Sequence, residues 1–338
     1  MDEFEFIRRL RGKANRTGLP AQVLTGIGDD GTVIRPSPGK DLIVTTDLLI
    51  EDIDFRKKET PPDVLGHKAL AVSLSDLAAM GSTPRWALTS LGVPKQVWNT
   101  EFLDRFYDGI FKLAERYQVK LIGGDTSRTP ARIIVDTILI GECLEGKAVL
   151  RAGAKPGDLV YVTGELGAAA AGLRLLNRGA DPTPAHSKEA RDAAIERVMR
   201  RQLRPEPRVG WGLVLGEEHL ATAMIDISDG LSSDLHHLCE ECKVGATIDR
   251  AKIPIDEAVK ILCGRRALDP LMLALHGGED FELLFTVSPE NASRLPKKVD
   301  GVNASCIGQI EPASSGVRLA EGSSVWELEA LGFQHFKN

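Results

Sequence analysis

Residues 41–81 restrict the fold more than any other stretch of this chain. Residues 41–49 are β-rich and end in Thr45-Thr46-Asp47; after Pro61-Pro62, residues 63–80 place apolar side chains at helical spacing and stop at Gly81. That is a strand feeding a helix, and the alternation continues. Residues 100–117 read as a second amphipathic helix, 119–122 as a short buried strand cut off by Gly123-Gly124, and 132–140 as another strand. The turn signal Lys155-Pro156-Gly157-Asp158 opens a new assembly: a strand over 159–163 and an Ala-rich helix over 168–176. Residues 181–208 are polar and Pro-punctuated, so they read as solvated helix and loop. A strand (221–227), a helix (231–242) and a strand (281–287) follow. At 338 residues the chain is long enough for two domains, divided near residue 148.

Charge narrows the partners. Lys plus Arg number 42 against 48 Asp plus Glu, a net charge of −6, so there is no basic excess to neutralise a nucleic-acid backbone. No apolar stretch approaches a membrane span, and the acidic start Met1-Asp2-Glu3-Phe4 does not resemble a signal peptide. The expectation is a soluble cytoplasmic protein that engages neither nucleic acid nor membrane. Five cysteines, an odd and sparse set, fit reduced thiols. Cys239 and Cys242, with His236 and His237 just upstream, have ligand-like spacing, but all four fall in one short helical segment without a second ligand pair, which disfavours zinc.

Two glycine motifs look like nucleotide loops and fail in context. Gly26-Ile27-Gly28-Asp29-Asp30-Gly31 satisfies GxGxxG, yet Thr32-Val33-Ile34-Arg35-Pro36 predicts a strand where a dinucleotide fold needs a helix N-terminus. Its two aspartates would repel a phosphate unless a cation lay between. The run from Gly141 to Lys147 nearly makes a Walker A loop, but Ala148 replaces the hydroxyl residue that would bind magnesium.

The unusual pattern is a recurring acid where a strand or glycine turn ends. Asp29 and Asp30 follow Gly28, Asp47 ends a strand, Asp125 follows Gly123-Gly124, Asp226 and Asp229 flank Ile227-Ser228, and Glu279 and Asp280 follow Gly277-Gly278. Each alone is explained as a turn or cap residue. Asp76 is not, because Val72 and Met80 lie four residues to either side and place it on or near an apolar helix face. Magnesium takes carboxylate oxygens together with substrate phosphates. Spacing alone therefore points to a magnesium-dependent enzyme acting on a phosphorylated substrate.

These residues, with the stretch 68–81 (KALAVSLSDLAAMG), Leu121 to Thr126 and Arg151 to Asp158, occur in an order that resembles the thiamine-monophosphate kinase family, within the aminoimidazole ribonucleotide synthetase superfamily. The resemblance spans nearly the whole chain. It implies an α+β fold of two domains with mixed sheets packed by helices: residues 1–148 for ATP and magnesium binding and homodimer formation, and 149–338 as a C-terminal αβ domain. It implies direct transfer of the ATP γ-phosphoryl group to thiamine phosphate, with several Mg2+ ions and ATP as co-substrate. By position, Asp30, Thr45, Thr46, Asp47, Asp76, Asp125, Asp226 and Asp229 fall on magnesium ligands, of which Asp30, Asp47, Asp76, Asp125 and Asp226 would carry catalysis. Tyr107, Gly124, Asp125, Arg151 and Ser228 fall on nucleotide contacts, and Asp54, Glu279 and Phe333 on the thiamine end. Asp54 departs from the family, where many relatives carry His.

Other members of the superfamily fit less well. The first cysteine is Cys143, so the reactive N-terminal cysteine region of selenophosphate synthetases is missing, and the chain lacks the C-terminal cysteine of the hydrogenase-maturation member. A purine-type ATP-dependent synthetase on the same scaffold is the alternative enzyme, and an acidic cation-binding protein without catalysis the alternative from another class.

Overall fold

The computed structural model describes residues 3–16, 18–27, 31–180, 190–263 and 269–334. They form two units, Met1–Leu77 with Ser82–Gly146 and Ala78–Gly81 with Lys147–Asn338. The first contains α1 (Glu3–Ala14), β1 (Val23–Thr25), β2 (Val33–Ile34), β3 (Lys40–Ile50), α2 (Pro62–Ala79), β4 (Thr83–Val93), α3 (Thr100–Arg116), β5 (Lys120–Arg128) and β6 (Ile134–Leu144). Its sheet runs β3-β6-β4-β5; the first two pairings are antiparallel and β4–β5 is parallel.

The helix expected over 63–80 forms as α2, but it is buried on nearly every side rather than along one stripe. Small residues make this possible. A Cβ at Gly66 would overlap the Phe106 carbonyl and one at Gly109 would overlap that of Asp63, so α2 and α3 approach with backbone against backbone. α3 is the amphipathic helix expected, capped by Asn99, whose Oδ1 accepts the Phe102 N–H at 3.0 Å.

Gly123-Gly124 does not end the strand expected over 119–122. β5 runs through both glycines to Arg128 because β4 lies so close that a Cβ on Gly124 would overlap the Thr89 carbonyl. Here glycine permits close strand approach rather than a turn. The sheet face turned away from α2 is partly covered by β1 and β2, with Val23 and Ile34 packed near Trp86, Leu88 and Ile140. Further along that face Leu42, Val44 and Leu48 on β3 are exposed, Val44 to 62%.

The second unit contains β7 (Leu159–Thr163), α4 (Ala168–Leu176), α5 (Ala190–Leu203), α6 (Val209–Glu217), β8 (Ala221–Asp226), α7 (Leu231–Cys242), β9 (Val244–Asp249), α8 (Glu257–Cys263) and α9 (Pro270–His276). β10 (Leu283–Val287), α10 (Pro289–Ala292), β11 (Lys298–Val299), β12 (Val302–Pro312), β13 (Val317–Glu321) and β14 (Ser324–Glu327) complete it. The sheet order is β14-β13-β9-β12-β7-β10-β8, antiparallel except for β13 beside β9, with β11 pairing off β12. Every residue of β10 is buried, and Leu231, Leu235 and Leu238 of α7 close the core over the sheet. The solvated segment expected over 181–208 is partly buried: α5 buries Ala194, Val198 and Leu203, the first two in a separate cluster with residues of α4, α8 and α9, while 181–189 lie outside the described residues. Two mixed sheets packed by helices are thus present. Among the described residues no helix is long and apolar enough to cross a membrane.

Candidate active site

In the first unit the expected ligands gather on β3 and α2. Alternate strand residues share a face, so Thr45 and Asp47 both turn toward α2. Thr45 donates its hydroxyl to Asp76 Oδ2, and Ser73 donates to Asp47 Oδ2 at 2.7 Å while lying 3.1 Å from the Thr137 carbonyl. Thr46 points to the opposite face and donates to Asp136 Oδ1 at 2.6 Å. Across the sheet Asp47 faces Thr137, Thr137 faces Thr89, and Thr89 faces Gly124, so Asp47 and Gly124 terminate one transverse row. Asp125 lies in the adjacent row with Ser90 and Asp136, and is exposed.

Burial, and then the nearby Asp76 carboxylate, push the Asp47 carboxyl up to about 6; Asp136 adds to this and the Ser73 hydrogen bond opposes it. Carboxylates that raise one another's proton affinity in a partly dry site favour a divalent cation, and carboxylate and hydroxyl oxygens are the hard donors magnesium prefers. The Thr89 and Thr137 hydroxyls, buried between Asp47 and Gly124, have no partner among the described residues.

In the second unit Asp226 closes β8 and is buried, and Ser228 and Asp229 form the turn into α7. Sequence reasoning missed Asp234. It is 2% exposed, and its Oδ2 accepts the N–H groups of Asp229 at 3.2 Å and Gly230 at 3.0 Å. Burial, then Asp226 and Asp229, push its carboxyl up to about 8 despite those bonds. The signal was available: an acid in the first turn of a helix can reach back to the orphan N–H groups at its start. Asp229, Asp234 and His237 bring ligand atoms within 4.8 Å of one another, the one such trio among the described residues.

This turn is tied to two of the three thiamine-end candidates, Glu279 and Phe333. The Ser228 carbonyl accepts the Glu279 N–H at 2.7 Å, the Asp229 carbonyl accepts the Phe333 N–H at 3.1 Å, and Gly332 N–H donates to Ser233 Oγ at 2.9 Å. Glu279 sits in the left-handed region, φ 66°, and its Oε2 accepts from the Gln202 amide. The Phe333 ring is half exposed. Arg151 is exposed, with its carbonyl 3.0 Å from the Cys242 Sγ that donates to it.

Other candidates stand differently. Tyr107 sits in the core: it is 2% exposed, with its ring against those of Phe6, Phe106 and Phe111, and burial raises its phenol pKa. An aromatic at helical spacing is core here. Asp54 turns its Oδ2 back to accept the Ile50 N–H at 2.8 Å, the work of a turn residue. Asp30 lies outside the described residues. The near-Walker run begins inside β6, with no helix at its end, and β2 rather than a helix follows the GxGxxG string. Cys239, Cys242, His236 and His237 all lie on α7, where His236 Nδ1 is bonded to the Ser232 carbonyl.

Known proteins are similar to this chain over nearly its whole length. The model of the AIR synthase related protein N-terminal domain matches residues 28–143, and that of the C-terminal domain matches 155–319. The thiamine-monophosphate kinase of Buchnera aphidicola subsp. Schizaphis graminum is 39% identical over 99% of this chain and 99% of its own. Among solved structures, the thiamine-monophosphate kinase of Stenotrophomonas maltophilia K279a superposes with a TM-score of 0.81 at 35% identity, covering 96% of this chain and 98% of that one. AaThiL complexed with AMPPCP and TMP superposes with a TM-score of 0.76 at 30% identity, covering 99% and 97%.

Proposed function

This chain belongs to the AIR synthase related family and, within it, to the thiamine-monophosphate kinases; from that premise we propose how its residues carry out the reaction. It phosphorylates thiamine phosphate with ATP, giving thiamine diphosphate and ADP. Magnesium, held by the carboxylates, would supply positive charge to offset that of the phosphates. Asp47, Asp76 and Asp125, with Thr45, Thr46 and Asp30, would be the magnesium-holding residues of the first unit, and Asp226 and Asp229 those of the second. Ser73 fixes the Asp47 carboxylate by donating to Oδ2. Gly124 presents bare backbone to the nucleotide, Ser228 offers its hydroxyl, and the exposed Arg151 pairs with a phosphate. Glu279 balances the thiazolium charge and Phe333 stacks on a ring of the substrate. Asp54 takes the place of the usual His at the thiamine end. The attacking phosphate is already largely ionised near neutral pH, so no side chain has to remove its proton.

The observation that carries this reading is the strand-to-helix carboxylate pair, Asp47 beside Asp76, with Asp47 raised to about 6 and each acid held by a hydroxyl. The test is to incubate the protein with ATP, magnesium and thiamine phosphate and to resolve the thiamine species. Thiamine diphosphate is expected in the complete mixture and absent when magnesium is chelated. ATP consumed without a new thiamine species would refute the reading.

The protein works in the cytoplasm as a homodimer. Five free thiols suit a reducing compartment. The exposed Leu42, Val44 and Leu48 on one sheet face of the first unit form an apolar surface that a second copy would cover. Val44→Glu is expected to shift the sedimenting species from dimer to monomer; an unchanged dimer would place the interface elsewhere.

A further inference from the structure

Gln202 is 3% exposed near the end of α5, and its amide Nε2 donates to Glu279 Oε2. Its amide oxygen is also buried and has no partner among the described residues. The opposite rotamer would set that oxygen against a carboxylate oxygen, two acceptors face to face. The side chain thus satisfies Glu279 and leaves its own acceptor uncompensated, which a residue kept only for packing would not require.

The neighbouring residue acts on the same segment. Arg201 donates to the Asp280 carbonyl at 3.1 Å and pairs with the buried Glu282 at 2.7 Å. On the far side, the Glu279 N–H is tied to Ser228 at 2.7 Å. Glu279 holds a left-handed backbone that non-glycine residues adopt uncommonly. One turn of α5 therefore grips the segment from side chain and backbone.

We propose that Gln202 is the positioning residue of the thiamine end: its amide fixes the Glu279 carboxylate in the orientation that receives the cationic part of thiamine phosphate. This rests on the assignment of Glu279 to the thiamine site, and the experiment separates the two. Gln202→Met keeps length and removes the donor. It is expected to raise KM and the calorimetric Kd for thiamine phosphate about tenfold, the value of one charge-assisted hydrogen bond, with KM for ATP unchanged. Glu279→Gln is expected to raise the same two constants, and the double variant to equal Glu279→Gln alone, because Gln202 acts through Glu279. Comparing KM for the two substrates within one variant cancels any loss of folded protein, which lowers kcat alone; Gln202→Glu, opposing the carboxylate, must shift the constants in the same direction. If Glu279→Gln changes neither constant, the thiamine-site assignment fails. If it raises them while Gln202→Met does not, or if the two effects multiply in the double variant, the positioning role is overturned.

Discussion

Asp47→Asn is expected to lower kcat by about 10²–10³-fold while making the metal-free protein more stable above pH 6. The activity loss follows from removing a carboxylate that helps neutralise the transferring phosphates. The stability gain follows from its raised pKa. A carboxyl moved from 3.8 to about 6 contributes stability that is fully present below pH 3.8 and is lost as pH rises through about 6. Asparagine never ionises, escapes that loss, and still offers Ser73 an oxygen. The gain is roughly 1–3 kcal/mol at pH 8. Urea unfolding at pH 4 and pH 8 in a chelator reads it, and added magnesium should stabilise the wild type more than the variant. Near-normal turnover, or a variant less stable at pH 8, would contradict the role given to Asp47.

Gly66→Ala is expected to destabilise the protein by roughly 2–4 kcal/mol, because its new methyl group meets the Phe106 carbonyl and both helices are held in a close-packed core. Neither backbone can yield without opening the contacts of Leu65, Leu70 and Phe106. Gly109→Ala, which meets the Asp63 carbonyl from the other helix, should behave alike. Gly12 is the control: it lies exposed in α1 with open space around it, and alanine there should stabilise by about 0.5–1 kcal/mol. The comparison is read from denaturation midpoints. Equal midpoints for Gly66→Ala and Gly12→Ala would show that α2 and α3 are free to separate.

The sequence was most legible where period and punctuation agree. The helix at 63–80 and the strand at 159–163 have the expected type and extent because apolar spacing, flanking Pro and terminal Gly all point the same way. Gly123-Gly124 misled because a glycine reads as a break unless the neighbouring strand is known to pass within reach of its missing Cβ. β12, β13 and β14 went unread, since their alternation is weak and their pairing joins residues remote in the chain. At the site, acids at strand ends drew attention, whereas Asp136 and Asp234 did not. Asp136 looks like any polar residue in an alternating strand, and only the folded sheet, with Thr46 bonded to it and Asp47 within its field, shows its place. Tyr107 was ambiguous for the opposite reason: core and stacking aromatics share one spacing, and only burial separates them.

The hydrogen bond from Gly332 to Ser233 joins residues 99 apart, and Phe333 reaches Asp229 beside it. Without Phe333 the Ser228–Asp229 turn lacks one of its backbone ties, and without Gly332 the adjoining first turn of α7 lacks a bond to Ser233. Contacts of such long sequence separation form late, since the loop between their ends must close first. The thiamine end therefore closes later in folding than the local turn from Ser228 into α7, because Phe333 must first find Asp229 across that long stretch of chain.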